Sequence, residues 1–330
     1  MNPDEQLLGA LYASGSVGLH ETQLAEWMGM TCDGVRERLD ELKKLGYVFA
    51  THPHEGHRLM KSPGNLMADD LRARMGAGEH RIGSRILVLE KTASTNDVAE
   101  RFAGEGHPEG LVIFAEAQTA GRGRLGRNWI SPAHKGLWFT VLLRPRIAMS
   151  AASRLTVMAG VAVATSLRKS TGLPLRIKWP NDVLCNGRKV AGILTELGAD
   201  ADGIRHASVG IGIDVNVERE DLPEWLWESA TSLKMEAGHA FQRPALAAEI
   251  LLEFNRCEAL ISDGNFSMLM ARWMELDGTL GQQVAVAWND GRKLRGMASG
   301  LDADGALLVR TDEGRVERVV AGDVTLEKQT

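Results

Sequence analysis

Cysteine is scarce in this chain of 330 residues: Cys32, Cys185 and Cys257 are the only three. An odd, scattered set argues against a disulfide framework and against a cysteine-based zinc site. Positive charge is not in excess either. Lys and Arg number 38 against 43 Asp and Glu, a net charge of −5, which excludes a protein that coats nucleic acid non-specifically. The most apolar stretch, Leu155 to Leu167, is interrupted by Thr156, Gly160 and Thr165 and falls short of a bilayer span. The opening Met1-Asn2-Pro3-Asp4-Glu5 is acidic and has no signal-peptide pattern. Internal repeats and low-complexity tracts are also missing. The expectation is a cytoplasmic protein with no membrane partner. Hydrophobic residues at 44% and charged residues at 25% supply an ordinary globular core, and the length allows two or three domains.

What the chain does have is concentrated between Ala115 and Trp129. Within it, Gly121-Arg122-Gly123-Arg124-Leu125-Gly126-Arg127 packs three glycines and three arginines into seven residues. Glycines deny the segment a regular helix or strand and let backbone approach a ligand closely. Arginines add fixed charge and planar, bidentate donors suited to phosphate and carboxylate. The apolar runs Leu111–Ala115 and Gly136–Leu143 on either side read as core strands. Disordered arginine–glycine tracts are usually long and repetitive, so a single short loop between core strands reads as an anion-gripping ligand loop.

Residues 1–65 read as a separate domain. Leu7, Leu8, Leu11 and Tyr12 form a helical stripe ending at Gly15, and Thr22–Met28 a short helix closed by Gly29. Thr31 caps a further helix whose buried face is expected to carry Val35, Leu39, Leu42 and Leu45. Tyr47–Ala50 and Arg58–Met60 read as a two-stranded wing, which makes the whole a winged helix-turn-helix. DNA binding through Arg36, Arg38, Lys43 and Lys44 is one reading; a structural or partner-binding winged helix is the other. Residues 1–61 hold six Lys/Arg and nine Asp/Glu, a net −3, and Asp33 stands where phosphate repulsion is worst. His52, His54 and His57 lie on the wing and read as surface histidines rather than metal ligands. Residues 66–84 read as a linker, with a helix from Leu66 to Met75 and a break at Gly76-Ala77-Gly78.

Residues 85–280 read as the main domain, an α+β sheet layer. The strand Arg85–Leu89 leads into Ser94-Thr95-Asn96-Asp97, where Ser94 and Asp97 have capping-box spacing. Such a helix start also presents free N–H groups and small polar side chains to a neighbouring ligand. Ser153–Arg168 reads as an amphipathic helix. Leu175 and Ile177 alternate with Arg176 and Lys178 before Trp179-Pro180-Asn181-Asp182, so Lys178 projects from a strand end at the mouth of a turn. Lys189–Leu194 and Ala207–Ile213 follow as strands, with internal glycines that mark close approach of another backbone or a ligand. Helices are expected at Pro244–Ile261 and Phe266–Leu276. From 281 to 330 short strands alternate with the turn signals Asn289-Asp290-Gly291, Asp304-Gly305 and Glu313-Gly314, which fits a small antiparallel barrel.

These strings, in this order, resemble the biotin protein ligases, and with the N-terminal domain they resemble the bifunctional members that also repress biotin operons. The match is carried by Ser94-Thr95-Asn96, Gln118, the loop Gly121–Arg127 with Trp129, Lys178–Asp182, Lys189–Leu194 and Gly210–Ile213. The resemblance implies a mixed-sheet ligase domain of the biotin/lipoate ligase type and an SH3-like C-terminal barrel. It implies activation of biotin by ATP with Mg2+ to biotinyl-5′-AMP, then transfer to a lysine of a biotin carboxyl carrier protein. By the same resemblance Lys178 and Arg124 are the catalytic residues. Ser94, Thr95, Asn96, Gln118, Gly121, Arg122, Gly123, Arg124, Trp129, Lys178, Gly192 and Asp214 bind biotin or the adenylate, and metal ligands stay unassigned. A homodimer bound to operator DNA when the adenylate is present is implied as well. Asp214 departs from the family's usual Asn; its carboxyl either weakens nucleotide affinity or helps hold magnesium. A lipoate-type acyl-protein ligase on the same fold, or a ligase that has lost DNA binding, are the alternatives.

Overall fold

The computed structural model describes residues 2–201, 203–288 and 290–327; Asn289, the first residue of one expected turn, lies outside them. Two compact units emerge, Met1–His80 with Gln242–Glu249, and Arg81–Phe241 with Ile250–Thr330.

In the first unit, α1 (Pro3–Ser14), α2 (Glu21–Met28) and α3 (Cys32–Lys44) precede an antiparallel pair, β1 (Val48–His52) and β2 (Gly56–Lys61). Helix ends fall where the capping chemistry puts them: Asn2 caps α1, Gly29 closes α2 in the left-handed conformation, and the Thr31 hydroxyl accepts from Gly34 N. Leu7, Leu8, Leu11, Val35, Leu39 and Leu42 form the core. Leu45, expected on that face, is instead 54% exposed, because it occupies the helix C-cap, where the stripe has rotated out. The expected linker helix, α4 (Ala68–Met75), belongs to this unit. Its Asp70 is buried and accepts from the Tyr12 and Tyr47 hydroxyls at 2.5 and 2.9 Å and from Arg74 Nε at 2.7 Å. His57 is not a surface histidine: it is buried, with Nε2 3.1 Å from Glu21 Oε1.

The second unit is built on a seven-stranded sheet of order β3-β4-β5-β9-β8-β7-β6, in which β3 and β4 are parallel and the other pairs antiparallel. The elements in chain order are β3 (Arg85–Thr92), α5 (Thr95–Gly104), β4 (Leu111–Gln118), β5 (Leu137–Leu143), α6 (Ser153–Thr171), β6 (Leu175–Lys178), β7 (Asp182–Cys185), β8 (Arg188–Asp200), β9 (Gly203–Ile213), α7 (Leu233–Ala237), α8 (Arg243–Ser262), which belongs to this unit from Ile250 on, and α9 (Phe266–Leu276). The interior strand β5 is buried at every position, which explains its continuous apolar run. With its preceding turn, α6 spans Met149–Thr171 and is long and apolar enough by composition to cross a membrane; Leu155, Val157 to Ala164, Ser166 and Leu167 are buried inside the protein. The interruptions at Thr156, Gly160 and Thr165 therefore do not set its length; it is a core helix against the sheet.

The C-terminal strands β10 (Gln283–Ala287), β11 (Lys293–Leu301), β12 (Leu307–Arg310), β13 (Val316–Val319) and β14 (Asp323–Leu326) form a second, antiparallel sheet of order β13-β12-β11-β10-β14. Sequence reading missed β14, whose Asp-Val-Thr-Leu is too short and polar to stand out.

Candidate functional site

The glycine–arginine segment is a closed hairpin rather than an open coil. Gly123 N donates to Arg127 O at 2.7 Å and Trp129 N to Gly121 O at 2.8 Å. A single 3-10 turn, Arg124–Gly126, sits at its tip with Leu125 at φ 59° and Gly126 at φ 72°. Leu125 thus holds a left-handed backbone that a side chain disfavours. Gly121 is fixed by space: a Cβ there would lie 2.6 Å from Trp129 O.

Each arginine of the hairpin reaches a different part of the fold. Arg122 pairs with Asp97 at 2.5 Å and Glu196 at 3.1 Å. Arg124 donates to Asn181 Oδ1 and to Gly322 O, both at 3.0 Å. Arg127 pairs with Asp323 on β14. Burial pulls the Arg124 guanidinium below its ordinary value against the opposing charges of Asp182 and Asp323.

Beneath the hairpin lies a cavity of about 800 Å³, within the size of small-molecule sites. Arg122, Gly123, Arg124, Trp129, Lys178 and Asp214 line it. β6 and β7 pair Lys178 with Asp182 across the Trp179-Pro180-Asn181 turn, and Lys178 Nζ is 3.6 Å from Asp182 Oδ2. Lys189 enters the same cavity from β8, 2.5 Å from Asp182 Oδ1 and 5.1 Å from the Trp129 ring centre. Asp214, at the end of β9, is 4% exposed and its Oδ1 has no hydrogen-bond partner among the described residues. Burial raises its carboxyl well above the ordinary value, against Lys189.

A second group of expected residues forms a polar network beside the hairpin instead of lining the cavity. Thr95 N and Oγ1 donate to Gln118 Oε1 at 2.9 and 3.2 Å, and Gln118 Nε2 donates to Ser131 Oγ at 3.0 Å. Thr140 Oγ1 is 2.5 Å from Asn96 Oδ1, and Asn96 Nδ2 donates to Glu196 Oε2 at 2.6 Å. Arg122, also on Glu196, joins this network to the cavity. Ser94 caps α5 by accepting from Asn96 N at 3.3 Å. The expected capping box does not form, because Asp97 is taken by Arg122.

The strand glycines are approached by side chains. A Cβ on Gly192 or Gly212 would lie 2.7 or 2.5 Å from the Trp129 ring, and one on Gly210 would lie 2.2 Å from Asn96 Oδ1. These glycines let Trp129 and Asn96 lie flat on the sheet.

Sequence reading left Asn181, Asp182, Lys189, Glu196, Thr140 and Asp323 out of the site. Asp182 and Lys189 stood in the strings already singled out, and their alternation along β7 and β8 with buried Val183 and Val190 was the available signal. Asp323 and Thr140 are brought in only by tertiary packing. Among the described residues no three His, Cys, Asp or Glu side chains converge as a metal site. On α3, every cation expected to meet DNA is paired within its own unit: Arg36 with Glu21 and Asp33, Arg38 with Asp4, Lys43 with Asp40, and Lys44 with Glu41.

Such an arrangement, cations and an aromatic floor around a cavity on an α+β sheet, suits a ligand bearing phosphate and carboxylate. Comparison with known proteins agrees. A model of the biotin/lipoate A/B protein ligase family matches residues 88–214, and one of the biotin protein ligase C terminal domain matches residues 279–326. The bifunctional ligase/repressor BirA of Bacillus subtilis is 32% identical over 322 residues, covering 98% of each chain. The biotin–[acetyl-CoA-carboxylase] ligase of Mycobacterium tuberculosis is 34% identical over 256 residues, 76% of this chain and 91% of that one. Among solved structures, the biotin protein ligase of Aquifex aeolicus in complex with biotin and ATP has a TM-score of 0.64 at 29% identity, over 74% of this chain and 100% of that one. The chain belongs to the biotin protein ligase family.

Proposed function

We propose that this chain activates biotin with ATP as biotinyl-5′-AMP and transfers the biotinyl group to one lysine of a biotin carboxyl carrier protein of acetyl-CoA carboxylase or a related carboxylase. The observation that carries the reading is the cavity itself, where Arg122, Arg124, Lys178 and Lys189 surround the Trp129 floor. A carboxylate and a triphosphate repel each other. Fixed cations in a half-buried site neutralise both and hold them in line, so the carboxylate oxygen can attack the α-phosphorus while pyrophosphate leaves. Biotin's carboxylate and the α-phosphate lie between Arg124 and the two lysines. Ser94, Thr95, Asn96, Gln118 and Gly121 support the biotin end through their network, Gly123 and Gly192 give room, and Asp214 faces the nucleotide. The resulting mixed anhydride is destroyed by water, so the hairpin's cover matters to its survival.

Magnesium travels with the nucleotide in this proposal. Mg2+ is typically held by one or two carboxylates and the substrate phosphates; Asp182 on the cavity wall is already paired with Lys178 and Lys189, so the nucleotide's own phosphates would supply most of the ion's ligands. When bound, the ion would supply neutralisation of phosphate charge.

In the same proposal residues 1–65 are a winged helix-turn-helix, 66–84 the connection, of which α4 is part of the first unit, 85–280 the ligase domain and 281–330 an SH3-like barrel. The protein works in the cytoplasm, away from membranes, and represses biotin genes as an adenylate-loaded homodimer on operator DNA. A second reading, ligase activity with DNA binding lost, has one observation in its favour: the internal pairing of Arg36, Arg38, Lys43 and Lys44.

Biotin-dependent exchange of pyrophosphate into ATP tests the catalytic reading. Wild-type protein should exchange with biotin and not with lipoate. Lys178→Ala and Lys189→Ala should each slow exchange by a factor on the order of a hundred while leaving the fold intact. Exchange with lipoate alone would move the chain to the lipoate class, and a near-wild-type rate in either variant would remove that lysine from the chemistry.

A further inference from the structure

Glu196, on β8, accepts hydrogen bonds that lead in opposite directions. Its Oε2 takes one from Asn96 Nδ2 at 2.6 Å and another from Arg122 Nη2 at 3.1 Å. Asn96 is buried and belongs to the network of Thr95, Thr140 and Gln118. Arg122 lines the large cavity from the hairpin. No hydrogen bond among the described residues joins Asn96 to Arg122 directly; Glu196 is the link. Asp97, the other partner of Arg122 at 2.5 Å, holds the cation alone.

A carboxylate in this place does more than balance charge. Asn96 lies so close to the sheet that a Cβ on Gly210 would come within 2.2 Å of its Oδ1. The two ends of a carboxamide are alike in size, so packing does not decide which end faces Thr140. Glu196 decides it: a carboxylate only accepts, so it draws Nδ2 to itself and turns Oδ1 towards Thr140. Thr140 Oγ1 is 2.5 Å from that oxygen and 2.8 Å from Thr95 Oγ1. Oδ1 cannot donate, so the single Thr140 hydrogen goes to Asn96, and Thr140 meets Thr95 with a lone pair. The Thr95 hydrogen is then shared between Thr140 and Gln118 Oε1, the latter 3.2 Å away. Thr95 Oγ1 is left as an acceptor towards any other neighbour. We propose that Glu196 is a positioning residue for the first half-reaction: this one carboxylate sets the donor and acceptor polarity of the biotin end and the aim of Arg122, so that the two halves of the substrate site are ordered together. The proposal rests on the ligase reading of the site.

The Glu196 side chain is 40% exposed, so the core does not depend on it. Pyrophosphate exchange at varied biotin is the assay. Glu196→Ala should raise the KM for biotin by about tenfold or more, through loss of charge-assisted hydrogen bonds, and leave kcat within about threefold of the parent. Glu196→Gln keeps an oxygen for Asn96 and loses the charge that holds Arg122, so its KM should rise by only about threefold. Asp97→Asn should resemble it, because that change also loosens Arg122 alone. A double-mutant cycle reads the link itself. Asn96→Ala and Arg122→Ala together should raise KM by less than the product of their separate effects, and in the Glu196→Ala background the effects should simply multiply. An unchanged KM in Glu196→Ala, a fall in kcat alone, or effects that multiply with Glu196 present would each overturn the proposal. If Glu196→Ala does not fold, the isosteric Glu196→Gln decides, and an unchanged KM there overturns the proposal as well. Absence of exchange in the parent protein would instead refute the ligase reading, before any variant is compared.

Discussion

Arg124 Nη1 donates to Asn181 Oδ1 at 3.0 Å, across a separation of 57 residues in the chain. That bond joins the glycine–arginine hairpin to the Trp-Pro-Asn turn. The guanidinium's other end holds Gly322 O of the C-terminal segment, so one side chain ties three pieces of the second unit around the cavity.

Removing it should loosen the cover more than the chemistry. Arg124→Gly deletes two charge-assisted hydrogen bonds, each worth about 1.5–3 kcal/mol, and adds backbone freedom to the hairpin. Adenylate synthesis should persist in part, while escape of the intermediate rises roughly tenfold or more. Labelling of bystander lysines on added serum albumin is the readout, and no increase over wild type counts against a sealing role.

Asp214 should make stability depend on pH. Burial raises its carboxyl well above the ordinary 3.8, so the folded state binds more proton than the unfolded chain once pH exceeds that value. Unfolding free energy therefore falls as pH rises from about 4 towards the folded value. Asp214→Asn removes this dependence. The variant should match wild type in thermal melts at pH 4 and exceed it at pH 8, by about 1–3 kcal/mol, the cost of an unsatisfied buried group. Equal melting temperatures at both pH values would mean that Lys189 keeps the carboxylate ionised without penalty.

DNA binding should be weak and conditional. The −3 charge of residues 1–61 and the self-paired cations of α3 leave little for phosphate. A dimer would reinforce two weak half-sites through effective concentration. Retention of an inverted-repeat upstream fragment in gel shifts is expected with biotin and ATP present and at low salt, and Arg36→Ala should weaken it. If the loaded protein retains no upstream fragment at low salt, the repressor half of the proposal fails and the ligase half stands.

Much of this was legible in the sequence because it rests on local rules. Thr31 and Gly29 mark helix ends by capping, β5 is a continuous apolar run, and the Gly121–Arg127 string announces itself by composition. What stayed hidden depends on partners far along the chain. Nothing local shows that Asp97 would serve Arg122 rather than its own helix start, or that Asp323 of a four-residue strand would hold Arg127. Leu45 fails for a related reason: periodicity gives its angle and Gly46 marks the helix end, but neither shows that the cap residue itself leaves the buried stripe. The strand glycines were read as places of close approach, and they are, although Trp129 and Asn96 are what approach.

The central claim is that the cavity joins biotin to AMP and hands the product to a lysine. Incubating the protein with ATP, Mg2+ and biotin and analysing the protein-bound fraction by mass spectrometry tests it directly. The account predicts biotinyl-5′-AMP that disappears on addition of a carboxylase carrier domain, with one biotinyl group gained on a single carrier lysine. Recovery of unmodified biotin and intact ATP from folded protein would contradict it.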